Sequence, residues 1–419
     1  MIEMSVIFVN MLKKIIKNLA AKTVGKFEPE IIAITGSVGK TSAKEAVRAV
    51  VSEIKPARTT AGNFNNEIGV PLTILSGSEN IGGKFFWGAV ISFSIVRLLL
   101  PRRLFKYPEM LVLEYAADKP GDVKYLLEIA RPKIGVVTAV GEIPPHVEFY
   151  SGPDAVAREK SKLIEDISVA GFAVLNFDDE AVMDMKERTR AKIMTFGFGE
   201  GSDVRISAFE NRSENGAPEG VSFKLEHGGS FVPTRLDGVF GKTHAYAAAA
   251  AACVGLISGL NLVKISEALL DYRSPKGRMA ILAGIKGSFI IDDSYNASPL
   301  SVHSALDALK ELKAARKIAV LGDMLEIGQY SIQAHETVGR LAAKSADILV
   351  TVGAAAKLIA ESAAKTGMPK ENVVSFDTAE EAGRAVQDFL RPKDVVLIKA
   401  SRAVGLDKVV EEIKAAPIV

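Results

Sequence analysis

The chain has 419 residues, 48% hydrophobic and 24% charged, which suits about two or three globular domains with sizeable cores. Lysine and arginine exceed aspartate and glutamate by two, so no overall basic field indicates a nucleic-acid partner. The single cysteine, Cys253, excludes an internal disulfide and a multi-cysteine zinc site, as is typical of a reducing compartment. Because it stands in an alanine-rich apolar run, we expect a small buried hydrophobe rather than a nucleophile.

The first element in chain order is an amphipathic segment, which we assign to residues 1–28. Its apolar stretch, Ser5–Leu12, follows Glu3 rather than basic residues. A secretory signal peptide has the opposite order of charge, so we place the protein in the cytoplasm.

Short apolar runs rich in branched residues then alternate with helical patterns. They indicate strands buried on both faces of a parallel sheet, and they lie at Ile31–Ile34, Met110–Leu113, Ile134–Val137 and Phe172–Leu175. Between Asp203 and Val239 polar and apolar residues alternate, which predicts an antiparallel excursion, and the alanine-rich run after Gly241 predicts a helix. We assign residues 29–270 to this central domain.

A second α/β pattern follows Asp271–Arg278, whose proline and glycine suit a connection between domains. Its expected strands are Phe289–Ile291, Lys317–Leu321, Ile348–Val352, Val373–Phe376 and Val395–Ile398. Alternation of strands and helices predicts right-handed crossovers and a Rossmann-like, doubly wound sheet in residues 271–419. The fold class is therefore α/β in both domains.

A phosphate-binding loop (P-loop) joins the first expected strand to the helical pattern from Ala43 to Val51. Glycines let backbone N–H groups approach phosphate oxygens, Lys40 can reach the β- and γ-phosphates, and Thr41 can coordinate Mg²⁺. Ile34 stands where the full motif has glycine, and G-x-G-x-x-G is absent. A shortened triphosphate loop is favoured over a dinucleotide site or a chance turn, with contacts from Gly36, Ser37, Val38, Gly39, Lys40, Thr41 and Ser42.

Several motifs in this order resemble the Mur ligase family. They are Thr35–Ser42, Ala61–Pro71, Asp292–Pro299 and Leu321–Gly328. The resemblance implies an ATP-dependent ligase that activates a carboxylate as an acyl phosphate and joins it to an amine. The implied substrates are a muramoyl peptide and D-Ala-D-Ala, and the implied setting is peptidoglycan synthesis, with its consequences for the cell wall, cell shape and division.

The resemblance also implies a site for two Mg²⁺ ions. Glu114, at the end of an expected strand, is the implied ligand of one ion, and His146 helps to hold the second. Lys160 matches a lysine whose amine carries a carbamate that supports a metal ion, with Lys162 as the neighbouring alternative. Without the resemblance, this segment reads as a charged helix face.

Other matching positions border the substrates. A turn-forming cluster of asparagines matches a loop beside the acyl substrate: Asn63, Asn65 and Asn66. Arg278, Asp293 and Asn296 match positions near ATP, where an arginine can stabilise charge on the transferred phosphoryl group. The run Gly241–Ala247 lacks the family's His-Asn pair, so His244 is the candidate substitute near the adenine.

The identity of the acyl substrate stays open. Only about thirty residues precede the P-loop, too few for the uridine-nucleotide domain that the family usually carries. One alternative is a related ligase acting on a folate or a lipid-linked muropeptide. The family also includes an amidating subunit that acts on lipid-linked precursor, but it resembles proteins with a four-cysteine zinc insert, and the single cysteine disfavours it. Another is a membrane-associated ATP-binding scaffold, which the joint presence of Lys40, Thr41, Glu114, His146 and Lys160 disfavours.

An apolar insertion occupies about residues 85–106. Phe85–Leu100 is apolar apart from Arg97 and falls short of the roughly twenty residues that a membrane-spanning helix needs. It is either a helix covered by protein or an interfacial segment, with Trp87 at the level of lipid headgroups. In the interfacial interpretation these basic residues lie nearby: Lys13, Lys14, Lys17, Arg102, Arg103 and Lys106.

Overall fold

The computed structural model describes residues 6–62 and 64–416, which divide into two units. The first unit contains the residues up to Ala139, together with Asp154–Arg205 and Ala247–Asp271. The second contains Val140–Pro153, Ile206–Tyr246 and the residues from Tyr272 onward. Each unit therefore combines separate stretches of the chain.

A parallel sheet forms the centre of the first unit. Its strands are β1 Glu30–Thr35, β2 Ala57–Thr59, β3 Met110–Glu114, β4 Ile134–Val137, β5 Phe172–Asn176 and β6 Lys192–Gly197. The spatial order is β2-β3-β1-β4-β5-β6, with every neighbouring pair parallel. The four strands expected from apolar runs are confirmed, and the short or partly exposed β2 and β6 were not expected.

The helices of this part of the chain follow the amphipathic and apolar patterns of the sequence. In chain order they are α1 Val6–Phe27, α2 Lys40–Ser52, α3 Gly69–Leu75, α4 Lys84–Leu99, α5 Asp122–Leu127, α6 Pro153–Glu165, α7 Glu180–Met183, α8 Lys242–Ile257 and α9 Leu262–Ala268. Helix α8 is apolar around its circumference and buried, as its alanine run requires. It carries Cys253, which is buried, and burial raises the pKa of its thiol, so the structure favours the expected inert hydrophobe.

Helices α1 and α4 pack together on the first unit. Leu12 and Ile16 of α1 share a buried core with Trp87 and Val90 of α4 and with residues of β3. Trp87 is 2% exposed, so in the interfacial interpretation its placement among lipid headgroups is wrong, and the buried side of α4 agrees with a helix covered by protein. Within residues 6–62 and 64–416, no helix is long and apolar enough to cross a bilayer.

The second unit contains two groups of strands. The first group is β7 Val204–Glu214, whose first two residues belong to the first unit, β8 Ala217–His227 and β9 Ser230–Asp237. Its antiparallel β8–β9 hairpin confirms the expected excursion. The second is a sheet of β10 Ala280–Ala283, β11 Phe289–Asp293, β12 Arg316–Gly322, β13 Ile348–Val352, β14 Val373–Phe376 and β15 Asp394–Lys399. Its order is β10-β11-β15-β12-β13-β14, antiparallel only at β10, which confirms all five expected strands.

Four helices of the second unit connect its parallel strands, and a fifth follows the last strand. They are α10 Pro299–Glu311, α11 Ser331–Ser345, α12 Lys357–Lys365, α13 Ala379–Phe389 and α14 Asp407–Ile413. Short 3₁₀ turns complete the described chain at Arg102–Leu104, Val147–Phe149, Asp184–Arg188, Leu269–Asp271, Ile285–Gly287, Gly328–Tyr330, Lys370–Asn372 and Arg402–Val404. This alternation is the doubly wound pattern expected of residues 271–419.

Candidate active site

The P-loop lies between the carboxyl end of β1 and the first turn of α2. Gly36 and Gly39 have φ values of 141° and 85°, which favour glycine. A Cβ atom on Gly36 would lie 2.1 Å from the hydroxyl oxygen of Thr138, so a side chain at this position would collide with the segment after β4. Thr138 also donates to the carbonyl of Val38 at 2.7 Å. The loop is thus shaped by the neighbouring strand as well as by its own glycines.

Lys40 lies at the start of α2, where the helix N-terminus favours anions. Its ammonium donates to the Gly36 carbonyl at 2.9 Å, which holds the side chain over the loop. A second lysine, Lys44, has a different role, because its buried ammonium donates to the carbonyls of Thr60 at 2.5 Å and Gly62 at 3.1 Å. Lys44 ties the asparagine loop to α2, and the sequence pattern did not single it out.

Glu114 ends β3 beside the P-loop strand, since Ile34 and Glu114 are partners in the β1–β3 register. Parallel strands of open α/β sheets present ligand-binding groups at this edge. The carboxylate is buried, and its Oε1 accepts a hydrogen bond from Asn65 Nδ2 at 2.9 Å. Its Oε2 is also buried and has no hydrogen-bond partner among the described residues. A buried carboxylate oxygen without a protein partner is chemically suited to bind a cation.

The asparagine loop has two visible functions. The side-chain amide of Asn65 orients Glu114. The backbone carbonyl of Asn65 also accepts a hydrogen bond from the backbone N–H of Ala116 at 2.9 Å. Asn66 accepts the backbone N–H groups of Ile68 and Gly69 at 3.1 and 3.0 Å, which is a turn before α3. Asn63 lies outside the described residues. Contact of these asparagines with an acyl substrate stays a prediction.

Lys160 is buried on α6, so the charged-face interpretation of this segment does not apply to its own side chain. Burial and, to a smaller extent, the positive charge of Lys40 lower the pKa of its amine to about 7, against the opposing effect of Asp118. Lys162, by contrast, is half-buried and pairs with Glu159 at 2.6 Å. Lys160 therefore has the chemically unusual amine, and Lys162 has an ordinary ion pair.

In the second unit, His146 and Glu326 form a close pair. Nδ1 of His146 lies 2.6 Å from Oε2 of Glu326, and both residues have left-handed backbones with φ values of 65° and 61°. Such conformations are costly for residues other than glycine and are concentrated at functional sites. Glu326 belongs to the Leu321–Gly328 motif, but its pairing with His146 could not be read from the sequence.

The residues matched to the ATP region also cluster within the second unit. Lys399, at the end of β15, lies 2.5 Å from Asp293 Oδ2 and donates to the Asn296 carbonyl at 2.9 Å. Burial lowers the pKa of Lys399, and the ion pair with Asp293 opposes this shift. The guanidinium of Arg278 stacks on Tyr295 at 4.1 Å from the ring centre. Lys399 was not among the residues predicted from the sequence, although its place at the carboxyl end of a strand was a usable signal.

His244, the candidate adenine contact, is buried in the first turn of α8. Its Nδ1 lies 2.8 Å from the hydroxyl oxygen of Tyr272. Burial lowers the pKa of the imidazole to about 4, so the ring is neutral at physiological pH. The structure therefore shows His244 as a buried, uncharged side chain that contacts Tyr272. Its contact with adenine stays a prediction.

Two models of known protein families match successive parts of the chain. The Mur ligase middle domain matches residues 34–85 and 96–255, and the Mur ligase glutamate ligase domain matches residues 277–402. Together with the P-loop, these family matches define an ATP-dependent ligase that forms C–N bonds. The chain belongs to the Mur ligase family.

Within this family, several similar proteins share one name. The chain is 31% identical to UDP-N-acetylmuramoyl-tripeptide–D-alanyl-D-alanine ligase of Mycobacterium leprae, covering 94% of this chain and 75% of the relative. For the enzyme of the same name from Bacillus subtilis the identity is 27%, with 96% and 80% covered. The structure of MurF ligase from Thermotoga maritima in complex with ADP has a TM-score of 0.77 at 26% identity, covering 96% of this chain and 83% of the other. MurF from Acinetobacter baumannii also has a TM-score of 0.77 at 26% identity, with 95% and 79% covered.

Proposed function

We propose that this ligase adds D-alanyl-D-alanine to a UDP-N-acetylmuramoyl-tripeptide, the reaction in the names of its relatives. The observation that carries the proposal lies at one edge of the first sheet. There the P-loop with Lys40, the unpartnered oxygen of Glu114 and the buried amine of Lys160 are brought together. These groups suit phosphoryl transfer to a carboxylate.

The first chemical step forms the acyl phosphate. An oxygen of the substrate carboxylate attacks the γ-phosphorus of ATP, the bond from that phosphorus to the β-γ bridging oxygen breaks, and ADP leaves. Lys40 and the N–H groups at the start of α2 bind the phosphates and stabilise the charge on the transferred group. In the second unit, we propose that Arg278 contributes to the same stabilisation and that Asp293 and Asn296 contact the nucleotide.

Residues of the first unit fit a magnesium site. Mg²⁺ prefers oxygen ligands and is usually held by one or two carboxylates together with substrate phosphates. Glu114 offers the buried oxygen without a partner, and Thr41 offers a hydroxyl at the start of α2. In the part of the chain that the structure describes, no group of three or more His, Cys, Asp or Glu side chains can hold a metal. The proposed ligand set therefore includes the nucleotide, and bound Mg²⁺ neutralises its phosphoryl oxygens.

For the second unit, we further propose His146 as a ligand of a second ion, and for the first unit we propose that Lys160 carries a carbamate that supports metal binding. The Glu326 carboxylate beside Nδ1 would orient the imidazole, as carboxylates do for metal-binding histidines. The neutral amine of Lys160 attacks carbon dioxide, forms a C–N bond and releases one proton. This converts the neutral amine into an anion, with a second proton released when the ammonium form reacts, and the anion is attracted by Lys40 where the ammonium is repelled.

The second step forms the amide. The free amine of the dipeptide attacks the carbonyl carbon of the acyl phosphate, the bond to the phosphate oxygen breaks, and inorganic phosphate leaves with loss of a proton from nitrogen. The acyl phosphate is sensitive to water, so exclusion of solvent from the site protects it. We place this chemistry in the cytoplasm, where ATP is available. The peripheral membrane contact rests on α4 and is a separate proposal.

The decisive experiment measures ADP release with each substrate omitted in turn and identifies the product by mass. We expect release to require the muramoyl tripeptide and D-Ala-D-Ala together. Release with a folate and glutamate would instead support a related ligase, such as the Mycobacterium tuberculosis folylpolyglutamate synthase whose fold is similar at 14% identity and a TM-score of 0.66. ATP binding without any ADP release would support a scaffold.

A further inference from the structure

The outer face of α4 is apolar and exposed. Phe85 is 97% exposed, Leu99 is 78% exposed, and Leu104 in the following turn is 61% exposed. Other exposed residues of this stretch are Phe93, Ile95, Val96 and Leu100. We call this set the α4 face. Soluble proteins rarely expose so many large apolar side chains on one short segment, and such patches mark interaction sites.

The one charge within α4 after its first residue does not interrupt this face. Arg97 is only 7% exposed, and its guanidinium donates to the Leu75 carbonyl at 2.6 Å. It also stacks on Phe93 at 4.5 Å and lies over Tyr107 at 5.7 Å from the ring centre. The arginine that argued against a lipid-facing segment in the sequence is therefore turned into the protein.

Basic residues border the α4 face. Besides the inward-facing Arg97, residues 84–106 contain four basic residues and no acidic one: Lys84, Arg102, Arg103 and Lys106. Helix α1 is fixed to the end of α4, because Lys26 donates to the carbonyls of Arg97 at 2.8 Å and Leu98 at 3.0 Å. Helix α1 adds the exposed Lys14 and Lys22. Acidic groups pair with part of this border, because Glu67 and Glu128 lie 2.7 and 2.5 Å from Lys13 and Lys17 of α1, and Glu28 lies 3.9 Å from Arg102.

The α4 face is also separate from the ligase chemistry. Residues 86–95 fall between the two segments that match the Mur ligase middle domain. None of the candidate site residues belongs to α4. Of the α4 face, only Phe93 and Ile95 lie in this gap. Because no part of the face carries a candidate site residue, its exposed apolar side chains need an explanation other than the ligase reaction.

We infer that the α4 face docks this protein on an anionic membrane surface. Phe85, Leu99 and Leu104 enter the boundary between headgroups and acyl chains, and the bordering basic residues contact lipid phosphates. A second copy of the chain is the less suitable occupant, because a two-fold dimer would place like-charged borders against each other. This inference is independent of the proposed ligase reaction.

Flotation with lipid vesicles tests the inference. Full-length protein is mixed at low salt with vesicles of phosphatidylcholine, alone or with added phosphatidylglycerol. We expect flotation only with the anionic vesicles, and we expect added salt to weaken it. The double variant Phe85→Ser/Leu99→Ser should lower the bound fraction about tenfold or more, since it removes two inserting side chains. Replacing Arg103→Gln and Lys106→Gln should weaken binding and flatten its salt dependence.

A matched control uses exposed apolar residues elsewhere. Phe231 and Ile332 are 60% and 62% exposed, and the variant Phe231→Ser/Ile332→Ser should float as well as the wild type. The inference is overturned if the wild type stays at the bottom with anionic vesicles at low salt, or if both double variants behave alike. A lipid-free dimer that Phe85→Ser/Leu99→Ser dissociates would assign the face to self-association instead. ADP release with a water-soluble acyl substrate should be equal in all these variants, which separates this test from that of the ligase reaction.

Discussion

Replacing Lys160 with methionine should stabilise the ligand-free protein while removing its activity. Burial lowers the pKa of this amine from 10.5 to about 7. At pH 7 about half of the amines are then neutral, against about one in three thousand for an ordinary lysine. The folded protein thus maintains a population of the reactive neutral form that carbamate formation needs, and it does so at a cost in stability.

The size and sign of that cost follow from proton linkage. Between pH 7 and pH 10.5 the unfolded chain holds a proton on Lys160 that the folded chain has released, so the free energy of unfolding rises with pH across this window. Below pH 7 the full penalty applies. One pKa unit corresponds to about 1.4 kcal/mol, so the penalty is about 3 to 5 kcal/mol. Methionine has a similar length and no charge, so Lys160→Met should recover much of this energy at pH 6 and little above pH 10.

Denaturant unfolding in carbonate-free buffer across this pH range measures the difference. The control is Lys162→Met, which removes a half-buried ion pair with Glu159 and should show no comparable pH-dependent gain. With labelled bicarbonate, the carbon-13 carbamate signal should disappear in Lys160→Met and persist in Lys162→Met. Activity of Lys160→Met should fall roughly a hundredfold or more; for Lys160→Ala, a small carboxylic acid should restore part of it. A Lys160→Met protein that is fully active and no more stable than the wild type at pH 6 would refute this reasoning.

Three further substitutions separate chemistry from stability. Lys40→Ala should reduce ADP release by about a hundredfold or more and leave the unfolding midpoint unchanged. Lys44→Met should lower the unfolding midpoint, because it leaves buried carbonyls without donors. Equal unfolding midpoints for the two variants would contradict these roles. Glu114→Ala should raise the Mg²⁺ concentration needed for half-maximal ADP release, and an unchanged titration would remove it from the ligand set. Lys399→Met should destabilise the protein by about 3 to 5 kcal/mol because Asp293 is left buried and unpaired, and adding Asp293→Asn should recover much of the loss; no recovery would mean that the pair is not the cause.

The sequence by itself determined the two α/β patterns and the P-loop. Strands buried on both faces must be continuous apolar runs, and Ile31–Ile34 and Ile348–Val352 therefore signal themselves without knowledge of their neighbours. A left-handed backbone beside a crowded strand tolerates only glycine, so the loop at Gly36–Gly39 is equally local. Strand β2, with three half-buried residues, has no such pattern and was missed.

Only the tertiary structure decided which polar residues have shifted pKa values or buried ion pairs. The depressed pKa of Lys160 comes from burial and from Lys40, which is 120 positions away in the chain, and no local pattern contains that information. The same holds for the pairing of Lys399 with Asp293 across 106 positions. Helix α4 gives the clearest case, because its apolar composition is the same whether Trp87 or Phe85 faces the protein. Packing against α1 buried Trp87 and Arg97 and left Phe85 and Leu99 outside, since a helix that contacts the core along one side must expose the other.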